Sequence, residues 1–214
     1  MSEDDLEALA LLADPVRRSL YEAVAAHGGE VGRTEAAEAA GVSRALAAHH
    51  LDKLVEAGLL SSGSRRPERQ GPGSGRPAKV YRRAEGERSV SLPPRDYGAL
   101  ASVLAEVVGE LGAEERAERA ARAAGERLGR RRGGRTAESV LRERGYEPYP
   151  EGDGLRLRNC PFHAPAREQP LLVCSMNLAL CQGLLDGLGD DPGRARLDPR
   201  PGECCVAFSK TNED

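Results

Sequence analysis

The chain has 214 residues, of which 39% are hydrophobic and 30% charged, so it can fold as one large domain or two small ones. Aromatic residues make up only 3% and Trp is absent, which excludes a core built mainly on aromatic side chains. The net charge of −3 does not by itself indicate a nucleic-acid partner. The sequence shows no signal peptide and no run of 18 apolar residues, so we expect a cytoplasmic protein without a membrane span.

A helix is predicted at the start of the segment 14–83, which has the pattern of one compact unit. Asp14 followed by Pro15 is typical of a helix start, because the carboxylate accepts free backbone N–H groups and Pro has none to satisfy. Gly28 is expected to end this helix.

Two further helices are predicted on either side of a short turn. Thr34 is expected to cap a helix that ends before Gly41, and Ser43 to cap the next helix. This spacing predicts a helix-turn-helix, whose second helix lies in the major groove of DNA. The residues of that helix predicted to face inward are Ala47, Leu51 and Leu54.

The segment 59–83 is locally basic, since it contains seven Arg or Lys residues and one Glu. Strands at Leu59-Leu60 and 79–82 flank a Gly- and Pro-rich loop, as expected for the basic wing of a winged helix. Arg44 is the best candidate for reading a base, because an exposed guanidinium can bond to guanine through two donors. The predicted DNA-contacting residues are Ser43, Arg44, Ala45, Ala48, His49, Lys53, Arg76 and Lys79.

A helical region is predicted after the boundary at Pro93-Pro94. Asp96 can cap a helix whose apolar residues form one stripe, and a helix rich in Glu and Arg follows from about residue 114 to 132. Because the stripe must be buried, we expect it to pair with its copy in a homodimer. The stripe consists of Leu100, Val103, Leu104, Val107, Val108 and Leu111.

The C-terminal part is predicted to combine helices with short strands. Thr136 caps a short helix, a hairpin turns at 152–154, a helix spans about 172–188, and the tail 197–210 has one or two strands. We therefore expect a mainly helical α+β protein. Its predicted parts are a winged helix-turn-helix over 1–90, a dimerisation region over 91–135 and a cysteine-rich sensor domain over 136–214.

All five cysteines lie in the last quarter of the chain, which in a reducing compartment favours metal binding over a disulfide framework. The predicted ligands of zinc or of an iron–sulfur cluster are Cys160, His163, Cys174, Cys204 and Cys205. On a strand, adjacent side chains point to opposite faces, so only one of the last two is expected to be a ligand. Cys181 lies on an apolar stripe and is interpreted as a buried thiol.

A resemblance to winged-helix regulators of the ArsR type over roughly residues 8–84 is carried by ADPVRRSLYEAV, GVSRALAAHHLDKLVEAGLL and GRPAKVYRR. The cysteine pair of those regulators is missing, because residues 1–159 contain no Cys. With the NCP turn at 159–161, Cys174 and Cys204-Cys205, the whole layout resembles the iron–sulfur-responsive Suf repressor family. This resemblance implies a [4Fe–4S] cluster on the C-terminal cysteines. Because PFH follows Cys160 here, the fourth ligand would come from His163, solvent or a small thiol.

The predicted function is that of a DNA-binding repressor whose C-terminal domain senses iron–sulfur or redox status. The alternative is a winged-helix regulator of a small-molecule ligand, with cysteines that are structural or bind zinc; a protein without metal also stays open. Catalysis is not expected, because no CxxC motif, P-loop or Ser–His–Asp set is convincing. The predicted partners are double-stranded operator DNA and a second copy of the chain.

Overall fold

The computed structural model describes residues 3–65, 77–91, 93, 95–130 and 136–209, and the chain forms two compact units, 1–95 and 96–214. It is mainly helical with two small antiparallel sheets, which confirms the predicted α+β class. Both helices of the predicted dimerisation region fall within the second unit.

The first unit is a helical bundle with a small sheet of order β1-β3-β2. Its elements are α1 (Glu3–Leu11), α2 (Pro15–His27), β1 (Val31–Gly32), α3 (Arg33–Ala39), α4 (Arg44–Glu56), β2 (Leu60–Arg65) and β3 (Ala78–Arg83). The core is built mainly on aliphatic side chains from α2, α3, α4 and the sheet. On α4, Ala47, Leu51 and Leu54 are fully buried, as their helical spacing predicted.

Two capping predictions in this unit are confirmed. Asp14 accepts hydrogen bonds from the backbone N–H groups of Val16 and Arg17, at 2.9 and 3.0 Å. Ser43 Oγ accepts a bond from the N–H of Leu46 at 3.3 Å, so α4 begins at Arg44 directly after the turn. Because the first residue of α4 is the one predicted, the residues that face the core are also the ones predicted.

The expected cap at Thr34 is wrong. The helix α3 begins at Arg33, so Thr34 is its second residue and Gly32, which has no side chain, is its N-cap; the Glu35 carboxylate accepts the N–H of Gly32 at 2.7 Å. The helix α1, which lies within the predicted domain 1–90, was not itself predicted, and its Ala8 is part of the core.

The second unit has five helices and a sheet of order β4-β5-β7-β6 among the described residues. The elements are α5 (Tyr97–Glu110), α6 (Glu114–Arg130), α7 (Ala137–Glu143), β4 (Pro148–Glu151), β5 (Gly154–Leu157), α8 (His163–Glu168), α9 (Pro170–Leu188), β6 (Ala195–Leu197) and β7 (Val206–Phe208). The predicted caps are present, because Asp96 accepts the N–H of Ala99 at 2.8 Å and Thr136 that of Ser139 at 3.2 Å. The short helix α8 was not predicted.

The helices α6 and α9 touch backbone to backbone through glycines. A β-carbon placed on Gly183 of α9 would overlap the carbonyl of Arg122 and lie 2.8 Å from its carbon atom. A β-carbon on Gly129 of α6 would lie 2.6 Å from the carbonyl oxygen of Leu184. This contact leaves no room for a side chain at either position, and it allows the backbones of α6 and α9 to pack closely.

The helix α9 is also long and apolar enough to cross a membrane when judged by length and composition, with mean hydropathy 1.5. In the structure it is the central helix of the second unit, and residues such as Leu184 and Leu185 belong to its core. It also carries the buried polar residue Asn177, whose amide bonds to Tyr146 and Cys204. A core helix of a globular unit has this apolar character.

Candidate functional site

The side of α4 that faces away from the core carries the predicted DNA contacts. Its exposed residues are Ser43, Arg44, Ala45, His49 and Lys53, and Ala48 is half-buried beside them. Small side chains at two of these positions leave room for a close approach to a DNA groove, while Arg44 projects near the start of the helix. Lys53 Nζ bonds to Glu56 at 2.8 Å, an exposed pair that phosphate can replace.

The two strands beside the predicted wing form a continuous antiparallel ladder from Leu60 opposite Arg83 to Arg65 opposite Ala78. The loop they enclose includes Arg76, which lies outside the described residues. The ladder confirms the predicted returning strand and extends it by one residue at each end.

Lys79 lies in an ion pair that the sequence did not indicate. Its Nζ lies 2.7 Å from Asp52 Oδ1 on α4. Tyr81 OH donates to the same oxygen at 2.7 Å, and Arg33 contacts the other oxygen at 3.3 Å. We call Arg33, Asp52, Lys79 and Tyr81 the Asp52 network.

In the second unit, four cysteines from three separate segments form one connected group. Cys160 follows β5, Cys174 lies in α9, and Cys204 and Cys205 precede β7. The pKa values of Cys160, Cys204 and Cys205 are shifted by one another, and Cys174 contributes to the shifts of Cys160 and Cys205, so the four side chains lie close to one another. We call these four residues the cysteine group.

The expectation that Cys204 and Cys205 point to opposite faces of a strand is wrong. They lie in the turn before β7, so the alternation of a strand does not apply to them. Backbone bonds fix this turn, with Cys204 N–H donating to Leu157 O at 2.9 Å and Asp198 N–H donating to Cys205 O at 2.8 Å. Both thiols can therefore belong to one group.

Cys204 lies at the centre of the group. Interaction with the thiols of Cys160 and Cys205 lowers the pKa of Cys204, and the same interactions raise the pKa values of those two thiols. The side-chain amide of Asn177 also donates to Cys204 Sγ, at 3.2 Å, and Tyr146 OH holds that amide by donating to its oxygen at 2.6 Å. A sulfur surrounded by donors in this way is stabilised as an anion.

A buried arginine supports the turn that carries the last two cysteines. The side chain of Arg156 on β5 is 3% exposed and bonds to Glu203 at 2.7 Å and to Asp198 at 2.6 Å. Tyr149 OH donates to the same glutamate at 2.6 Å. Because Glu203 directly precedes Cys204, this pairing holds the turn at both ends. The sequence contained no signal for it, since the partners lie more than 40 residues apart along the chain.

Two other residues considered in the sequence are not members of this group, although Cys181 Sγ donates to Asn177 Oδ1 at 3.9 Å. The imidazole of His163 is exposed at the first residue of α8, and only its backbone N–H bonds to Cys160, through the carbonyl oxygen at 3.0 Å. Cys181 is fully buried in the core, where burial raises the pKa of its thiol, and this fits its interpretation as a small apolar residue.

The donor chemistry of the cysteine group suits a soft metal centre, because thiolates bind zinc and iron–sulfur clusters. Within the described residues, no three His, Cys, Asp or Glu side chains stand in the arrangement of a ready metal-ion site. The thiols interact with one another instead, so binding of a metal centre would change how they are arranged.

A comparison with protein-family models matched a helix-turn-helix domain over residues 12–62, which spans α2 to β2. Comparison with curated proteins and with solved structures gave no significant match. The matched domain includes the exposed face of α4 described above. The chain is thus a DNA-binding transcriptional regulator by its first unit.

Proposed function

We propose that this chain is a cytoplasmic, homodimeric repressor that senses iron–sulfur or redox status through a [4Fe–4S] cluster held by the cysteine group. The observation that carries the proposal is the convergence of four thiols from three segments in a chain whose other unit is a helix-turn-helix. A bound cluster would supply a centre that oxidants and iron supply can alter. The operator-binding elements would be α4 and the wing.

The surroundings of the cysteine group support such a role. Cys160, Cys174 and Cys205 are half-buried and Cys204 is buried, which limits access of solvent to their sulfurs. The Asn177 amide adds an N–H donor to Cys204, and donors of this kind stabilise thiolates that bind metal. The four residues also close three segments into one group, so any change in what they hold changes how those segments are joined.

A connection from the cysteine group to the predicted dimer helix runs through α8. This helix begins three residues after Cys160 and contacts α5, and α9, which carries Cys174, contacts α5 as well. The amide of Gln169, between α8 and α9, lies 3.2 Å from the backbone of Ala105 and Glu106. A rearrangement at the thiols therefore has a short path to α5.

The apolar stripe on α5 supports a homodimer. Its large side chains are among the most exposed apolar residues in the described part of the chain, with Leu104 at 56% and Leu111 at 74%. A patch of this kind marks an interaction surface. A second copy of the chain would cover this patch with its own stripe, and operators with two half-sites are read by two-fold symmetric dimers.

We expect Leu104→Glu to give a monomer, since the charge would be buried in the dimer interface without a partner. Sedimentation equilibrium measures the change, and operator affinity falls with it because one protomer contacts only one half-site. Gly109→Glu is the matched control: it adds the same charge on the opposite side of α5, where no atom lies within 4 Å. A dimeric Leu104→Glu protein would contradict this interface.

Arg44 tests the operator-binding part of the proposal. We expect Arg44→Lys to weaken binding to the operator by about 5- to 150-fold, the equivalent of about 1–3 kcal/mol for a bidentate base contact, and to leave binding to unrelated DNA nearly unchanged. The lysine keeps the charge but loses the planar pair of donors. Fluorescence anisotropy with both duplexes measures the two affinities. An equal loss on both duplexes would assign Arg44 to a phosphate contact instead.

A further inference from the structure

The Asp52 network joins three elements of the first unit that a DNA-binding surface must hold in register. Arg33 lies at the start of α3, Asp52 on α4, and Lys79 and Tyr81 on β3, the strand that leads out of the wing loop. The network is therefore a direct polar link between the helix that enters the groove and the wing beside it.

The hydroxyl of Tyr81 is the centre of this link. The residue is fully buried, and its OH donates to Asp52 Oδ1 at 2.7 Å while accepting from Arg33 Nε at 2.9 Å. Both hydrogen-bonding roles of the hydroxyl are used, and a buried hydroxyl that lost its acceptor would be costly. The position of β3 is thus coupled to the position of α4.

The charges of the network lie beside the predicted DNA-contacting face of α4, where they would affect binding to phosphate. Asp52 follows Ala45 and His49 at steps of four and three, so it continues the exposed face of α4. Its carboxylate is 39% exposed and contacts two cations, Lys79 at 2.7 Å and Arg33 at 3.3 Å. Pairing with the carboxylate would make these two cations less available to bind DNA phosphates.

We propose that Asp52 is a positioning residue that fixes the wing strand against the DNA-contacting helix and restrains Lys79 and Arg33, so that affinity depends on sequence rather than on charge. Its effect on DNA is indirect and has two parts. The geometric part runs through the Tyr81 hydroxyl, and the electrostatic part runs through the two cations.

Substitution of Asp52 by Asn separates this role from a merely stabilising one. Released cations give stronger binding to non-specific DNA, and each new phosphate contact steepens the salt dependence of log K by about 0.9. A loosened wing strand lowers the ratio of specific to non-specific affinity by about tenfold, the equivalent of one lost base-pair discrimination. We therefore expect tighter binding to a scrambled duplex together with a lower ratio.

The probes are the duplex that the wild-type full chain selects from a random-sequence pool and a scrambled duplex of equal length. Tyr81→Phe removes only the hydroxyl, so the ratio should fall with no change in the salt slope for the scrambled duplex. Glu22→Gln on α2 is the charge control, since it makes the same change in net charge at an exposed position outside the network. It should change neither quantity appreciably.

Thermal melting of each variant shows that the first unit is folded under the binding conditions. Weaker binding of Asp52→Asn to both duplexes by the same factor would overturn the proposal, because it would indicate loss of structure alone. An unchanged ratio in both Asp52→Asn and Tyr81→Phe would overturn it as well. A rise in non-specific affinity with a fall in the ratio supports it.

Discussion

Gly183→Ala is expected to destabilise the second unit by more than about 3 kcal/mol, the upper end of what overpacking costs, because the added carbon would overlap the backbone of α6. The obstacle is a peptide group of Arg122 rather than the end of a flexible side chain. To relieve this overlap, α6 and α9 must move apart where their backbones touch. Differential scanning calorimetry of the full chain should show the transition of this unit shifted to lower temperature.

Gly109→Ala on α5 is the matched control for that experiment. It is the same change in a helix, but nothing lies within 4 Å of the added carbon, so the better helix propensity of Ala should leave stability equal or higher by up to about 1 kcal/mol. A Gly183→Ala protein that melts like the wild type would show that α6 and α9 are not in backbone contact.

Cys160→Ser is expected to abolish the response of DNA binding to oxidant while DNA binding itself is retained. Cys160 is one of the two thiols whose interaction with Cys204 shifts the pKa of Cys204, so its loss removes one of the four sulfurs available to a cluster. A serine hydroxyl is a poor substitute for a soft thiolate ligand. Operator binding by anaerobic protein, measured before and after hydrogen peroxide, tests this expectation.

The control for this variant is Cys181→Ala. Cys181 is fully buried and is not one of the four cysteines of the group; its one bond there is a long one of 3.9 Å to Asn177 Oδ1, so its loss should cost some packing but leave the oxidant response in place. A Cys160→Ser protein that responds like the wild type would remove Cys160 from the sensor. A Cys181→Ala protein that has lost the response would indicate that Cys181, in the core, takes part in sensing.

Local signals in the sequence were sufficient for the helix-turn-helix. The caps at Asp14 and Ser43 and the inward spacing of Ala47, Leu51 and Leu54 depend on residues within one or two turns of each other, and the structure confirms them. The cap at Thr34 failed because the helix begins at Arg33, after Gly32, and Glu35 at the third helical position accepts the N–H of that glycine.

Long-range features were beyond the same reasoning. The thiols of Cys204 and Cys205 join one group because a turn held by Arg156 replaces the expected strand, and that arginine lies 47 residues before Glu203. The glycine contact of α6 with α9 depends on which faces of two helices meet. The pairing of Asp52 with Lys79 links residues 27 positions apart. Periodicity carries no information on such partners.

Anaerobic purification of the full chain followed by a visible spectrum, with iron, sulfide and zinc assays on the same sample, tests whether the cysteine group holds a cluster. We expect a brown protein with iron and acid-labile sulfide in equal amounts, whose colour bleaches in air and is lost in Cys160→Ser but kept in Cys181→Ala. A colourless protein, with stoichiometric zinc or with no metal, would contradict cluster sensing and leave a DNA-binding regulator of another signal.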